Sequence, residues 1–541
     1  MNGAEAIIAA LTDCGTEVVF GYPGAAILAV YDALYKNRDR LRHVLSVNEQ
    51  SAGHAADGYA RVSGRTGVVL ATSGPGATNL VTALATSFHD SIPVVAITGN
   101  VDRELIGRDS FQEVDITGIT NPITKHNFMV RGADMIYSTV REAFIIANSG
   151  RKGPVLVDIP HNLLSEEAEP VRLPHFQPRE LPFPHERELD AAAQLISEAK
   201  RPLILCGGGV VFSDSSKSIK SLSELLGAPV CHTLMGVSAL PSDDPMNLGL
   251  IGLYGTYTAC VAVNTCDVLI AAGTRFSDRV TRDFNKFAYS AKIVHIDVDG
   301  SEISKNVEAY IGLVGSADAV TDELCRRIPQ HEPNEWTKKL LNIRLHHPRP
   351  EPPIDSFEPG TIIRKIYRRF GRDIILVTDV GQHQLFAAQY GEFLRPRSFI
   401  SSCGLGTMGY GLGAAEGAKI AAPDRHVVLI SGDGSFHMNM GELAAAVTEN
   451  LKLDIFIMNN SALGMVYQWQ KALSGTGAYT DISRRTDYAT AAEAFGARGF
   501  RAECCAELEE AFDEILSTDK LCVVDCRIDH EQTVENLNLE Y

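Results

Sequence analysis

A chain of 541 residues is too long for one comfortable hydrophobic core, and its length favours about three domains of ordinary size. A composition 45% hydrophobic and 21% charged is that of a soluble globular protein, and a formal net charge of -18 leaves no excess of Lys and Arg for phosphates, which excludes general nucleic-acid affinity and favours a small-molecule substrate. Residues 1–11 carry no basic stretch before an apolar run, no later run could span a bilayer, and the eleven cysteines include no C-x-x-C pair, so the expectation is a cytoplasmic protein with reduced thiols and no membrane anchor.

In chain order, a helix-like stretch at 4–14 opens a first group of short apolar runs at 17–21, 67–73, 93–99 and 154–159, with another helix-like stretch at 51–61. A segment rich in Pro and Glu, at about residues 165–187, precedes runs at 202–206, 229–233, 267–273 and 292–297. A second connector, at about residues 329–360, clusters Pro348, Pro350, Pro352 and Pro353, and Pro both stiffens a segment and blocks helix continuation. The last group has runs at 373–379, 426–431, 454–459 and 521–526, with helix-like stretches at 440–449 and 506–517. Such runs suit strands buried on both faces. Their alternation with helices predicts an α/β fold of three doubly wound parallel-sheet domains, at 1–165, 188–330 and 360–541. Ligands in this architecture sit beyond the carboxyl ends of the strands, so the informative residues are those at strand ends.

The sharpest signal is Gly432-Asp433-Gly434-Ser435 at one strand end, followed about 27 residues later, one helix and one strand on, by Asn459-Asn460 at the next. Asp433 and Asn460 can then stand side by side and offer two hard oxygens to Mg²⁺, with the carbonyl of Ala462 as a third, while Gly432 and Gly434 let backbone approach a diphosphate. A lone Gly-Asp-Gly is usually only a turn. Joined to Asn-Asn at this spacing it resembles the diphosphate motif of the thiamine-diphosphate enzymes.

That resemblance implies thiamine diphosphate and Mg²⁺ as cofactors, with 360–541 as the diphosphate and metal domain and 1–165 as the pyrimidine-binding domain. Gly381, Gln382 and His383 would complete the phosphate cradle beside Ser435, Gly464 and Met465, although His383 alone could equally be a core or surface histidine. Glu49 matches the carboxyl group that must lie beside N1′ of the aminopyrimidine; its plain alternative is a helix N-terminal acid favoured by the dipole. The segment 74–79, with Pro75 and Asn79, looks like the pyrimidine-side loop, while the Gly406 carbonyl and the Met408 side chain would hold the cofactor bent. Because Glu49 and Asp433 lie in different domains, the resemblance implies a homodimer or homotetramer with its site between subunits.

The segment 460–469 is similar to that of the acetohydroxyacid synthase (acetolactate synthase) family, in which Met465, Val466 and Trp469 would shape the pocket for a second ketoacid, although a Trp is as often mere packing. Likewise 273–280 resembles a family signature in which Arg275 contacts FAD and Arg279 faces the substrate carboxylate; the bland alternative is a surface Arg–Asp pair. FAD is further implied by the resemblance through Gly207, Gly208 and Gly209, through Thr233, Leu234, Gly252, Leu253, Gly273 and Asp297, and through Arg151. It would be structural, since the reaction has no net redox change, and 188–330 would be its domain. Phe111 and Gln112 match the loop above the thiazolium, where Gln112 would bind a substrate oxygen.

The family's activity, joining two 2-ketoacids with loss of carbon dioxide, and its small regulatory subunit become expectations here. Rival readings are another thiamine-diphosphate 2-ketoacid decarboxylase or oxidase, and a weakly active regulatory paralogue. The family usually has Gly where this chain has Ala25, Lys where it has His161, His where it has Tyr254, Gly where it has Cys403 and Pro where it has Gly413. The sequence stops at 535–541 without the family's longer Pro-containing tail, which leads to an expectation of some acetaldehyde leakage.

Overall fold

The alternating runs build three six-stranded parallel sheets, one in each third of the chain. The protein is seen here as a computed structural model that describes residues 1–167, 169, 181–347, 355–483 and 486–535. Pro348, Pro350, Pro352 and Pro353, much of the first connector and residues 536–541 lie outside the described residues.

The first sheet comprises β1 (Val18–Gly21), β2 (Arg42–Leu45), β3 (Gly67–Ala71), β4 (Val94–Asn100), β5 (His126–Met129) and β6 (Val155–Pro160), in the order β2-β1-β3-β4-β6-β5. The second comprises β7 (Pro202–Cys206), β8 (Val230–His232), β9 (Asn247–Leu250), β10 (Val268–Ala272), β11 (Lys292–Asp297) and β12 (Ile311–Val314), in the order β12-β11-β10-β7-β8-β9. The third comprises β13 (Ile375–Thr378), β14 (Phe399–Ile400), β15 (Val427–Gly432), β16 (Asp454–Asn459), β17 (Arg498–Ala502) and β18 (Cys522–Arg527), in the order β14-β13-β15-β16-β18-β17. The four strands predicted in each group are the four inner ones, and the six that the apolar runs did not reveal are the six sheet edges. Inner strands are buried on both faces and read as continuous apolar runs. An edge strand such as His126–Met129, with no buried residue, does not.

Helices cover both faces of each sheet. On the first, the helices Gly3–Asp13 and Ile136–Asn148 bury Ile7, Leu11, Ile136 and Phe144 on one side, and Glu49–Ser63 buries Ala52, Ala55 and Ala56 on the other. Two helical expectations need correction. The second connector is not all linker: Asn334 caps a helix, Glu335–His346, whose Leu340 is 1% exposed in the central core beside Trp336 and Leu341. The stretch 440–449 is a 3₁₀ turn, Met440–Glu442, followed by a short helix, Leu443–Thr448.

The first and last domains meet where Glu49–Ser63 crosses the helix Gly411–Ala421. Gly58 lies against the backbone of Ala414 and Gly417 against that of Ala55, so a Cβ at either glycine would collide with main chain. Arg61, 1% exposed, closes the junction: it binds Asp57 at 2.5 Å, Asp90 at 2.7 Å and the Ser401 carbonyl at 2.9 Å, with the ring of Phe212 from the central domain 5.9 Å away. All eleven cysteines are free, and among the described residues no helix is long and apolar enough to cross a membrane.

Candidate active site

Parallel pairing places the carboxyl ends of β13, β15 and β16 in a row, because β15 lies between the other two. Asp433, at the start of a helix, is 4% exposed and Asn460, just past β16, is 7% exposed, so a carboxylate and an amide stand at adjacent strand ends as the spacing requires. The Asn460 side chain is held from both sides: its Oδ1 accepts from the Ala462 N–H at 3.2 Å and its Nδ2 donates to Gln382 Oε1 at 3.3 Å. Gly464 abuts both, and a Cβ there would collide with Gln382 Oε1 and come within 2.7 Å of Asn460 Nδ2.

The ring of His383 lies against Gly381 and Gly432 at the next strand end. Burial pushes its pKa down to about 3, so the imidazole is neutral, and its buried Nε2 has no hydrogen-bond partner among the described residues. An orphaned buried ring nitrogen beside two glycines fits a ligand that brings its own hydrogen-bonding atoms. Gln382 Nε2 donates to Gln468 Oε1 and to the Gln532 carbonyl, both at 2.9 Å, so its side-chain amide brackets the loops. Ser435 is turned inward too, its Oγ donating to the Val380 carbonyl at 3.0 Å. Met408 approaches Gly434, its Cε 3.8 Å from where a Cβ would stand, and Gly406 holds a positive φ of 74°.

In the first domain, Glu49 is the first residue of its helix, with Asn48 as the N-cap. It is 7% exposed, and its Oε2 accepts from Asn79 Nδ2 at 2.9 Å. Pro75 opens the short helix that ends at Asn79, and Gly74 packs on the backbone of Gln112, which itself holds φ 59°. The structure therefore brings Glu49, Pro75, Asn79 and Gln112 together. Phe111, 88% exposed, projects from the same loop.

In the central domain, Gly207 and Gly209 donate to the carbonyls of Ala272 and Gly273 at 2.9 and 3.0 Å, so their lack of side chains serves the packing of neighbouring strand ends. Thr233 is buried, Leu234 opens a 3₁₀ turn, and Leu253 donates to the Arg279 carbonyl beside Gly252. Arg151 pairs with Glu302 at 2.9 Å, whereas Arg275 makes no ion pair among the described residues. Burial and then the charge of Arg151 hold Arg275 below the usual arginine range, and burial pushes Asp297 up to about 6. A half-buried guanidinium that makes no direct ion pair among the described residues fits the diphosphate of a dinucleotide.

The expected acceptor residues are spread along the outside. Val466 and Trp469 are 47% and 37% exposed on the helix Gly464–Ser474, and Arg279 is exposed with its side chain 3.7 Å from Asp278, the geometry of the bland surface pair. The departures have ordinary partners: His161 meets Asp102 at 3.0 Å, the Cys403 N–H donates to Asp90, Gly413 packs on Ser51, and Ala25 begins a 3₁₀ turn.

One organising residue was missed. Burial pushes Asp379 up to about 6 against the N–H groups of Val380, Gly409 and Gly411, and its Oδ1 accepts from the Gly409 N–H at 2.8 Å. It thus ties the Met408 loop to the strand row. An acid ending an apolar strand gave no hint of this, because Gly409 and Ser431 reach it only through the fold.

Three family models match the chain: the thiamine pyrophosphate enzyme N-terminal TPP binding domain over residues 1–119, the central domain over 189–324 and the C-terminal TPP binding domain over 379–526. An acetolactate synthase of Mycobacterium bovis is 46% identical over 521 residues, which cover 93% of this chain and 84% of that protein. The acetolactate synthase isozyme 2 large subunit of Escherichia coli is 42% identical over 538 residues, covering 99% and 97%. A probable acetolactate synthase large subunit of Methanocaldococcus jannaschii is 42% identical over 548 residues, covering 98% and 92%.

Proposed function

This chain belongs to the acetolactate synthase family of thiamine pyrophosphate enzymes, and on that premise we propose how its residues divide the work. The enzyme is thiamine-diphosphate-dependent and joins pyruvate to a second 2-ketoacid with release of carbon dioxide, in branched-chain amino acid synthesis. Pyruvate as acceptor gives 2-acetolactate; 2-ketobutyrate gives 2-aceto-2-hydroxybutyrate. Its domains are taken as 1–165, 188–330 and 360–541.

Bound thiamine diphosphate supplies the nucleophilic carbon that adds to the donor ketoacid. Asp433, Asn460 and the Ala462 carbonyl form a hard-oxygen set suited to Mg²⁺, which would neutralise the diphosphate. Gly381, Gly432 and Gly434 admit the phosphates close to backbone, His383 offers its unpaired Nε2, and Gln382 and Gly464 keep Asn460 aimed. Met408 and Met465 form apolar walls that exclude water. Glu49 holds the proton at N1′ of the aminopyrimidine; Asn79 occupies its Oε2 and leaves Oε1 for the cofactor. Gln112 binds a substrate oxygen, and Arg279, Phe111, Val466 and Trp469 orient the acceptor.

FAD is assigned a structural part in the central domain, with Arg275 and Arg151 toward its diphosphate and Asp297 among the remaining contacts. Because the Glu49 group and the Asp433 group lie in different domains with exposed apolar residues beside each, Phe111 and Trp469 among them, we assign a homodimer or homotetramer with the site between subunits. A small regulatory subunit is the natural partner of a chain similar to large subunits, and free thiols suit the cytoplasm.

The observation that supports this reading best is the row of Gly381, Asp433 and Asn460 at adjacent strand ends beside the orphaned His383 nitrogen. The test is incubation with pyruvate, with and without 2-ketobutyrate, in Mg²⁺ and thiamine diphosphate, with the products identified. Failure to take up thiamine diphosphate saturably in Mg²⁺ overturns the reading. Glu49→Gln is expected to bind cofactor and lose most turnover; near-normal activity removes Glu49 from the mechanism.

A further inference from the structure

Tyr254 stands where three polypeptide segments meet. It follows β9 in a turn whose Gly252 lies against the Arg279 carbonyl, and the Leu253 N–H donates to that carbonyl at 3.3 Å. The turn and the Arg279 segment therefore move as one. From the C-terminal domain, Gln389 Nε2 donates to the Tyr254 carbonyl at 3.2 Å, which fixes the backbone. The phenol crosses the domain boundary, and its hydroxyl donates to Met465 Sδ at 3.5 Å, in the first turn of the helix that carries Val466 and Trp469. Burial pushes the phenol above its ordinary range, while the Arg279 charge pulls it back. It is neutral at working pH and remains a donor.

We infer that Tyr254 is a positioning residue for acceptor specificity, its hydroxyl fixing Met465, in the first turn of the helix that carries Trp469, at the boundary between the central and C-terminal domains. This rests on the acetolactate synthase reading, in which Arg279, Val466 and Trp469 surround the acceptor. The two acceptors differ by one methylene, which a fitted apolar pocket distinguishes by about tenfold or more. A wall held by the phenol keeps that fit; a wall free to turn loses it.

The experiment gives the full-length holoenzyme, with Mg²⁺ and thiamine diphosphate, equal pyruvate and 2-ketobutyrate. It measures the ratio of 2-aceto-2-hydroxybutyrate to 2-acetolactate for wild type, Tyr254→Phe, Trp469→Leu and the double variant. Tyr254→Phe is expected to move the ratio roughly threefold in the direction of Trp469→Leu, and to add almost nothing once Trp469 is gone, because residues acting through one wall are not additive. A general packing defect lowers both products alike and leaves the ratio unmoved, and that result overturns the inference. So do shifts that multiply in the double variant. A wild-type enzyme that makes neither product overturns instead the assignment on which the inference rests.

Discussion

Replacing Arg61 by Met tests how the first and last domains are held together. The side chain is 1% exposed and is the cation between Asp57 and Asp90, each 0% exposed at the side chain. Methionine fills much of the volume but removes the ion-pair partner of both buried carboxylates, leaving only the more distant charge of Arg275 near Asp90. Each keeps neutral donors, Tyr410 Oη and Ser87 Oγ for Asp57 and the Cys403 and Gly404 N–H groups for Asp90. Those donors blunt the penalty but do not cancel it. Breaking a buried ion pair costs about 3–5 kcal/mol, and a value of about 4 corresponds to roughly a thousandfold in the equilibrium. Urea unfolding followed by fluorescence of Trp336 and Trp469, which lie in the central and C-terminal domains, reads the loss at both places. Cofactor affinity falls with it, since Asp90 holds the loop leading to Gly406 and Met408. Adding Asp57→Asn and Asp90→Asn is expected to recover more than half of the loss. A stability change under about 1 kcal/mol in Arg61→Met, or no recovery in the triple variant, refutes the argument.

Three further outcomes are expected. Burial pushes Glu442 up to about 7 while its carboxylate accepts from the Val47 N–H at 3.3 Å, and neighbouring Glu416, fully buried, is pushed up by burial and by Glu442. A raised folded pKa gives stability that is complete below the ordinary carboxylate range and lost as pH rises through about 7, so between pH 5 and 8 Glu442→Gln gains stability relative to wild type; a pH-independent difference would contradict this. Gly464→Ala, whose Cβ has no room beside Gln382 and Asn460, weakens Mg²⁺-dependent cofactor uptake by tenfold or more in a fluorescence titration, and a change within about twofold would show that Asn460 need not be braced there. Asn79→Ala removes a hydrogen bond to a carboxylate, worth about 1.5–3 kcal/mol, and turnover drops about 10- to 100-fold with Mg²⁺ affinity retained; a loss confined to KM would mean that Asn79 serves binding alone.

The interior of the fold was legible because inner strands of parallel sheets must be apolar on both faces, and the runs at 93–99 and 454–459 are such strands. Edges were not. Arg42–Leu45 is exposed at both ends, and Asn247–Leu250, though buried, is broken up by Asn247 and Gly249. Asp433 and Asn460 could be found because one helix and one strand necessarily bring consecutive strand ends together. Asn79 could be paired with Glu49 only through the resemblance, and the brackets that hold the site could not be read at all. Arg61 meets Ser401 across 340 residues and Tyr254 meets Met465 across 211, and no local pattern encodes such distances. In the triple glycine, Gly207 and Gly209 donate to the carbonyls of Ala272 and Gly273, a contact between strand ends that the motif by itself does not announce.

The crossing of Glu49–Ser63 and Gly411–Ala421 constrains how this molecule can move. Where main chain rests on main chain, there are no side-chain rotamers to absorb a sliding step, and shear brings backbone against backbone. The outer two domains therefore behave as a single block about that point. Motion within the chain falls to segments away from that crossing, among them the surface loop that carries the exposed Phe111.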